Sequence, residues 1–159
     1  MGFETRIEVI ANGVDLQRFH PPAREDERRP LREALGVDAE TPLLLAVGSL
    51  TARKGIDLAI EAWIRLNRRF PKAHLVLVGA GFDTAGEDPE KRKFARRLQD
   101  LSAGSGAADR LHFTGFVDRV EDYYRAADLF VFPSEKEERT GSLCVPAFAG
   151  MNMRGEPVE

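Results

Sequence analysis

The apolar positions of this chain change period in a regular way. Arg6-Ile-Glu-Val-Ile10 alternates polar and apolar residues and stops at Ala11-Asn12-Gly13, the pattern of a short strand ending in a turn. Leu43-Leu-Leu-Ala-Val47 is apolar throughout and closed by Gly48, which predicts a strand buried on both faces. Ile56, Ala59, Ile60, Trp63, Ile64 and Leu66 then recur at helical spacing, with Asp57, Glu61, Arg65 and Arg68 between them, until Phe70-Pro71 ends the run. His74 to Val78, closed by Gly79, repeats the strand pattern, and Pro89 to Leu101 repeats the helical one with Phe94, Leu98 and Leu101 inward. Leu111 to Phe113 reads as a strand, Val120 to Ala127 as a helix and Leu129 to Phe132 as a strand. Continuous apolar strands alternating with amphipathic helices predict a doubly wound α/β domain, a parallel sheet joined by right-handed crossovers with helices on both faces.

The connecting segments are less regular. Arg24 to Arg29 mixes charge signs and is expected to be a solvated face, and Pro30 is placed to open a short helix that ends near Leu35-Gly36. Ala103 to Ala108, rich in Gly and Ser, reads as a loop inside the domain. After Pro133 the alternation stops. Glu135 to Arg139 is wholly polar, and Gly141, Pro146, Gly150 and Gly155 punctuate the rest, so no further strand and helix pair fits before Glu159. The sheet is expected to be cut short.

Composition narrows the function classes. The 159 residues suffice for one domain, and the net charge of −3 argues against a dedicated nucleic-acid binder. The single Cys144 makes no internal disulfide. No apolar run approaches the roughly 18 residues of a membrane span. Met1-Gly-Phe-Glu-Thr-Arg6 lacks the apolar core of a signal peptide, so a cytoplasmic location is expected.

Candidate chemistry follows from the fold class, because open parallel sheets bind ligands beyond the carboxyl ends of their strands. The loop Gly48-Ser-Leu-Thr-Ala-Arg-Lys-Gly55 leads into a helix. A glycine that admits close backbone approach, a helix start with unsatisfied N–H groups, and the cations Arg53 and Lys54 together suit an anion such as a diphosphate. It lacks the spacing of a Walker phosphate loop. Gly79-Ala-Gly-Phe-Asp-Thr84 begins like a dinucleotide fingerprint but has Thr84 in place of the third glycine, so Gly79 and Gly81 are read as turn residues. His20, His74 and His112 have no second ligand at metal spacing and are read as structural or surface residues, so no metal site is expected. Cys144 has no histidine nearby in sequence, and Met151 and Met153 need no cofactor to explain them.

Taken in order, these loops resemble the nucleotide-sugar-binding half of a GT-B fold glycosyltransferase, most like the family 4 group of retaining enzymes (glycosyl transferases group 1). The matching blocks are Val9-Ile-Ala-Asn-Gly-Val-Asp15 with Phe19, Val47-Gly-Ser-Leu50 with Arg53-Lys-Gly55, Leu77-Val-Gly-Ala-Gly81, Phe113-Thr-Gly-Phe-Val117, and Tyr124-Arg-Ala-Ala-Asp-Leu-Phe-Val-Phe-Pro-Ser134. The resemblance covers about Arg6 to Glu137. It implies a Rossmann-like C-terminal domain over residues 1–137 that holds a nucleoside diphosphate sugar, followed by a divergent tail over 138–159.

By the same resemblance Lys54, with Arg53, Ser49 and the Gly48 backbone, binds the donor diphosphate and stabilises the leaving group. Ser49 stands where many relatives carry Arg. Gly115, Phe116 and Val117 lie beside the nucleobase, unless the Phe116 ring instead caps the core. Glu137 is the first carboxylate of the family's acidic pair and touches the sugar. Val145, eight residues on, stands where relatives have the second. No cofactor or metal is implied beyond the donor.

The acceptor-binding domain that precedes this one in relatives, and the elements that follow Glu159, are expected to be missing, which makes the chain a truncated fragment with negligible transfer activity alone. A separate acceptor-domain chain is the implied partner, and a lipid acceptor would place the protein peripherally at the membrane. Three functions stay open on sequence: a donor half working with a second chain, an inactive nucleotide-sugar-binding remnant, and an α/β module for another phosphorylated ligand.

Overall fold

The computed structural model describes residues 13–80 and 88–134. The strand expected at Arg6 to Ile10, residues Gly81 and Thr84, Glu137, Cys144, Met151, Met153 and the tail lie outside the described residues.

The elements run α1 (Arg29–Ala34), β1 (Leu43–Val47), α2 (Ile56–Asn67), β2 (His74–Val78), α3 (Pro89–Gly104), β3 (Leu111–Gly115), α4 (Val120–Ala126) and β4 (Leu129–Phe130). Pro30 stands in the first turn of α1, as its missing N–H favours. The four strands form one sheet in the order β3-β2-β1-β4, and every pair is parallel. The central pair registers Leu43 against His74 through Val47 against Val78.

Both faces of this sheet are covered, which is why β1 is apolar at every position and β2 at every position after His74. Leu44, Ala46, Leu75 and Leu77 pack on one side with Ile56, Ile60 and Trp63 of α2 and Leu98 of α3. Leu43, Leu45, Val76 and Val78 pack on the other with Val37 and Ala126, beside Tyr123 and Tyr124 of α4. Trp63 is 1% exposed, and its indole N–H donates to the Ala73 carbonyl at 3.0 Å, so its one polar atom is satisfied inside the core.

Three boundaries differ from the sequence reading. α3 continues to Gly104, because Asp88 caps its start through bonds from the Glu90 and Lys91 N–H groups and nothing in Ala103-Gly104 stops the helix earlier. β3 runs two residues further, to Gly115, across an irregularity in its pairing with β2. β4 is shorter than expected: Leu129 and Phe130 pair with Leu44 and Leu45, and Val131 adds one bond to the Leu45 carbonyl at 2.8 Å. Phe132 turns outward, and Pro133 has no N–H to continue the ladder.

The charge run Arg24 to Arg29 is not wholly solvated. Arg28 is 3% exposed, and Arg32 in the next turn is 2% exposed. Both guanidinium groups converge on Asp128, just before β4, and both donate to the Ala126 carbonyl, Arg28 at 3.1 Å and Arg32 at 2.8 Å. Arg32 also donates to the carbonyls of Asp38, at 2.7 Å, and of Thr41. The Asp128 carboxylate accepts the Leu43 N–H at 2.7 Å. The two arginines can be buried here because a carboxylate and several carbonyls take up most of their donors, Arg28 Nε excepted, which a reading of local charge pattern does not see.

Candidate active site

The order runs outward from β1 through β2 to β3 and then reverses to β4 on the other side of β1; α2, which leaves β1, packs on one face of the sheet, and α4, which leads into β4, packs on the other. That reversal of strand order is where open α/β sheets form a ligand crevice. The loop after β1 is pinned to the one after β2: the Gly48 N–H donates to Val78 at 2.9 Å and the Leu50 N–H to Ala80 at 3.0 Å. A Cβ on Gly79 would lie 1.9 Å from the Gly48 carbonyl oxygen, so only glycine lets the two exits touch.

The same loop is also pinned to β4. A 3-10 turn over Ala52–Lys54 ends at Gly55, whose φ of +64° starts α2, and a Cβ there would lie 2.3 Å from the Pro133 carbonyl oxygen. Three strand exits therefore meet around Lys54. Its half-buried stem lies 3.7 to 3.8 Å from where a Cβ on Gly48 would stand, and its ammonium is 5.6 Å from the centroid of the Phe132 ring.

The two cations of the loop part company. Arg53 is exposed and lines a cleft of about 440 Å³ with Leu50, Glu90, Phe94 and Arg97 on the side toward α3. Arg97 itself bridges to Asp57 and Glu61, each at 3.1 Å. Ser49 is exposed beside Gly48. At the exit of β3, the Gly115 carbonyl accepts the Gly79 N–H at 2.9 Å, and Gly115 takes a φ of +71°. Phe116 is 81% exposed, which rules out a core-capping role for its ring, while Val117 turns inward against the α4 side of the core.

Larger hollows lie elsewhere. One of about 1010 Å³ separates the Gln17 to His20 segment and α1 from α4, and one of about 820 Å³ runs along α3 between Pro89 and Gly104. The charges of the first are paired internally: Arg18 donates to Glu121 at 2.9 Å and holds that carboxyl below the usual range, and Arg119 does the same to Asp122 at 2.7 Å. Volume alone does not select a site. The convergence of strand exits, glycines and a lysine does.

The block Val9 to Asp15 with Phe19 acquires a physical role in its described part. The Asp15 carboxylate accepts the Gln17 N–H at 2.9 Å to form a tight turn, and the Phe19 ring packs edge-on against Tyr124 with centroids 6.1 Å apart. The segment is thereby strapped to α4. His74 and His112, read separately in the sequence, meet across the β2 and β3 ladder, their rings stacked 5.2 Å apart and Nδ1 of His74 2.8 Å from Nε2 of His112. Burial lowers both pKa values, and mutual repulsion adds to the fall at His74. Among the described residues no group of three or more His, Cys, Asp or Glu is placed to hold a metal ion.

A parallel α/β sheet whose strand exits bring glycines and a lysine together at the strand-order reversal defines a Rossmann-like class of domain. Residues 27–150 match the Glycosyl transferases group 1 family, and the chain belongs to it. It is 37% identical over 138 residues to D-inositol 3-phosphate glycosyltransferase of Geodermatophilus obscurus, covering 83% of this chain and 28% of that protein. It is 32% identical over 152 residues to the GDP-mannose-dependent alpha-(1-6)-phosphatidylinositol monomannoside mannosyltransferase of Mycobacterium tuberculosis, covering 94% of this chain and 33% of that one. The chain thus spans about a third of the length of the curated relatives it matches.

Among solved structures, Anabaena HepE in complex with UDP-glucose superposes with a TM-score of 0.71 at 26% identity, covering 88% of this chain and 35% of HepE. WaaG, a glycosyltransferase involved in lipopolysaccharide biosynthesis, superposes with a TM-score of 0.64 at 27% identity over 82% of this chain and 32% of its own. The fold is that of a GT-B glycosyltransferase domain. No helix among the described residues is long and apolar enough to cross a membrane.

Proposed function

We propose that this chain is the donor-binding, C-terminal-type domain of a retaining, family 4-like glycosyltransferase, and that it takes a nucleoside diphosphate sugar without a metal or other cofactor. The observation that carries the reading is Lys54, held at the strand-order reversal of a domain whose relative HepE has a structure with UDP-glucose. Lys54 is the principal diphosphate contact, with the Gly48 backbone and Ser49 beside it and Arg53 adding positive charge from the α3 side. Phe116, exposed next to Gly115 and Val117, offers an aromatic face to the nucleobase. Glu137 is assigned to the sugar.

The chemistry asked of these residues is electrostatic. As the bond from the anomeric carbon to the diphosphate oxygen breaks, its electron pair stays on that oxygen, and a fixed ammonium nearby stabilises the charge where it grows. The acceptor hydroxyl oxygen forms the new bond to the anomeric carbon, and its proton passes to an oxygen of the departing diphosphate. Alignment of two bound partners accounts for about 7–11 kcal/mol of such a barrier. None of the residues assigned above orients an acceptor, so transfer requires an acceptor-binding surface in addition to them.

Titration calorimetry with UDP, GDP and ADP tests this reading. At least one should bind, with affinity unchanged by chelator, reduced by added salt, and reduced about tenfold or more by Lys54→Ala, the loss of a charge-assisted bond. Equal affinity in wild type and Lys54→Ala would sink it.

A further inference from the structure

The outer surface of the α2 and α3 layer carries charge mainly of one sign. Residues 56–72 and 88–104, the two helices with their flanks, hold nine Lys and Arg against five Asp and Glu, a net of +4 in a chain whose total is −3. All nine cations are exposed: four stand from Arg65 to Lys72 at the end of α2, and five from Lys91 to Arg97 on α3. The carboxylates are largely taken up. Asp57 and Glu61 pair with Arg97, each at 3.1 Å, and Asp88 caps α3, which leaves Glu90 and Asp100 as the outward acids. Arg65, Arg68, Lys93 and Arg96 make no ion pair among the described residues.

The two helices lie side by side, Ile60 and Trp63 of α2 and Leu98 of α3 sharing one core, so their outer sides form one continuous surface. Apolar groups stand among its cations. Leu58, Ala62, Arg65 and Arg69 make the outward ridge of α2, with Leu58 45% exposed; Phe70, next in the chain, is 43% exposed under the Arg69 guanidinium, 5.7 Å from its ring. The opposite layer has the reverse bias: around α1, Glu25, Asp26, Glu27 and Glu33 are exposed while Arg28 and Arg32 are buried.

We infer that the α2 and α3 layer is a docking face for an anionic lipid bilayer, with its cations over the headgroups and Leu58 and Phe70 entering the headgroup region. A plane is the partner that engages all of it at once, because the cations spread across two helices, and α3 alone runs about 24 Å, rather than tracing the single line of a nucleic-acid backbone. The exposed leucine and phenylalanine gain by leaving water at the acyl boundary. The acidic opposite layer turns the domain so that this face meets the surface. Each cation brought within a Debye length of an anionic leaflet strengthens binding about fivefold, equivalent to about 1 kcal/mol. The strand exits around Lys54 lie at the rim of the docked face, open to a nucleotide. The inference does not depend on the donor reading.

Cosedimentation of the whole chain with vesicles tests it. Phosphatidylglycerol vesicles should bind the protein and pure phosphatidylcholine vesicles should not, and added salt should weaken the binding. Arg65→Gln with Arg96→Gln, one cation from each helix, should weaken it about 25-fold, and Arg68→Gln with Lys93→Gln should do the same, so that one misfolded variant does not remove the test. Arg24→Gln with Arg29→Gln, the same change of net charge on the opposite layer, should leave it unchanged. Leu58→Ser, which alters no charge, should weaken it severalfold. UDP titrations of these variants should match wild type, which keeps this face separate from the donor site.

No binding to phosphatidylglycerol vesicles, or equal binding to both lipids, would overturn the inference. So would an equal loss in the Arg24 and Arg29 variant, which would mean that net charge and not this face is responsible. Displacement of the vesicles by a single-stranded RNA bound more tightly would replace the bilayer with a nucleic acid, and wild-type binding by Leu58→Ser would remove the insertion on which the choice of a bilayer rests.

Discussion

Asp128 is the residue whose loss should cost this fold most for its size. Replacing it with Ala leaves the buried Arg32 guanidinium without its carboxylate and Arg28 with only the exposed Glu25 at 3.4 Å, and strands the Leu43 N–H at the start of β1. Removing one partner of a buried ion pair costs about 3–5 kcal/mol, because the remaining charge stays buried and uncompensated. The Asp128 side chain is itself 22% exposed, and the carbonyls of Ala126, Asp38 and Thr41 still accept from the arginines, so the lower half of that range is expected. For a domain of this size each kcal/mol moves the melting temperature by about 2–4 °C, which puts the fall for Asp128→Ala at roughly 6–16 °C.

Urea denaturation followed by circular dichroism reads this directly, with the midpoint shifting at unchanged slope if only stability changes. Asp128→Asn keeps an acceptor for Leu43 and should lose about half as much as Asp128→Ala, the difference reporting the charge. The control is Asp26→Ala, which breaks the 3.3 Å Arg24 to Asp26 pair between side chains 76% and 51% exposed and should change stability by no more than about 1 kcal/mol. If Asp128→Ala costs no more than Asp26→Ala, the cluster is not what holds α1 and β4 to the start of β1. Replacing all three charges together with Met, Leu and Leu is the complementary test, since a well-packed apolar triad in place of a buried ionic one is often neutral or stabilising.

Other perturbations probe separate parts of the structure. Gly79→Ala would push a Cβ into the Gly48 carbonyl and should both lower the melting temperature and weaken UDP binding, because the two loop exits must separate; wild-type binding by a folded variant would contradict the packing argument. The stacked histidines should make stability pH-dependent. Their folded pKa values lie below the ordinary 6.5, so the unfolded chain binds more protons, and stability present above 6.5 should fall as pH drops through 6.5 toward the folded values. His112→Gln should flatten that fall in thermal melts between pH 7.5 and 5.5, and an unaltered pH profile would exclude the pair as its source.

How far the sequence reached depended on whether an element is defined by its own residues or by a distant partner. β1 and β2 were legible because a strand buried on both faces is apolar along its buried length, all of β1 and Leu75 to Val78 of β2, and both are closed by glycines that the loop contacts require. Arg28 was misread because its neighbours alternate in sign, the pattern of a solvated surface, and the carboxylate that pairs with it, Asp128, lies 100 positions away just before β4. The ordered motifs pointed to Lys54 and to the Asp128 block, but the contact between Lys54 and Phe132 was not legible. It exists only because β4 lies beside β1, a consequence of strand order that no local pattern encodes. The meeting of His74 and His112 was hidden for the same reason, since it depends on the register between β2 and β3.

The two ends of the sheet therefore have different physical duties, and β4 depends on both. Its ladder with β1 comprises only the pairs Leu44 with Leu129 and Leu45 with Phe130, too few to set its position alone. Before the ladder, Asp128 ties its entry to the Leu43 N–H and to two buried arginines; after it, Pro133 is seated against Gly55. The Lys54 to Phe132 geometry at the carboxyl end is thus partly set by an ion cluster at the amino end, one strand length away. Hydrogen exchange should expose that dependence. In Asp128→Asn at a temperature where the protein stays folded, the amides of residue 128 and of Val131, which donate to the Leu43 and Leu45 carbonyls, should lose protection well before Val76 and Leu77 of β2, because β2 is paired over five residues with β1 and does not use the cluster. Uniform loss across all strands would mean that the cluster stabilises the domain only globally, and that the site's geometry is set by the glycine contacts alone.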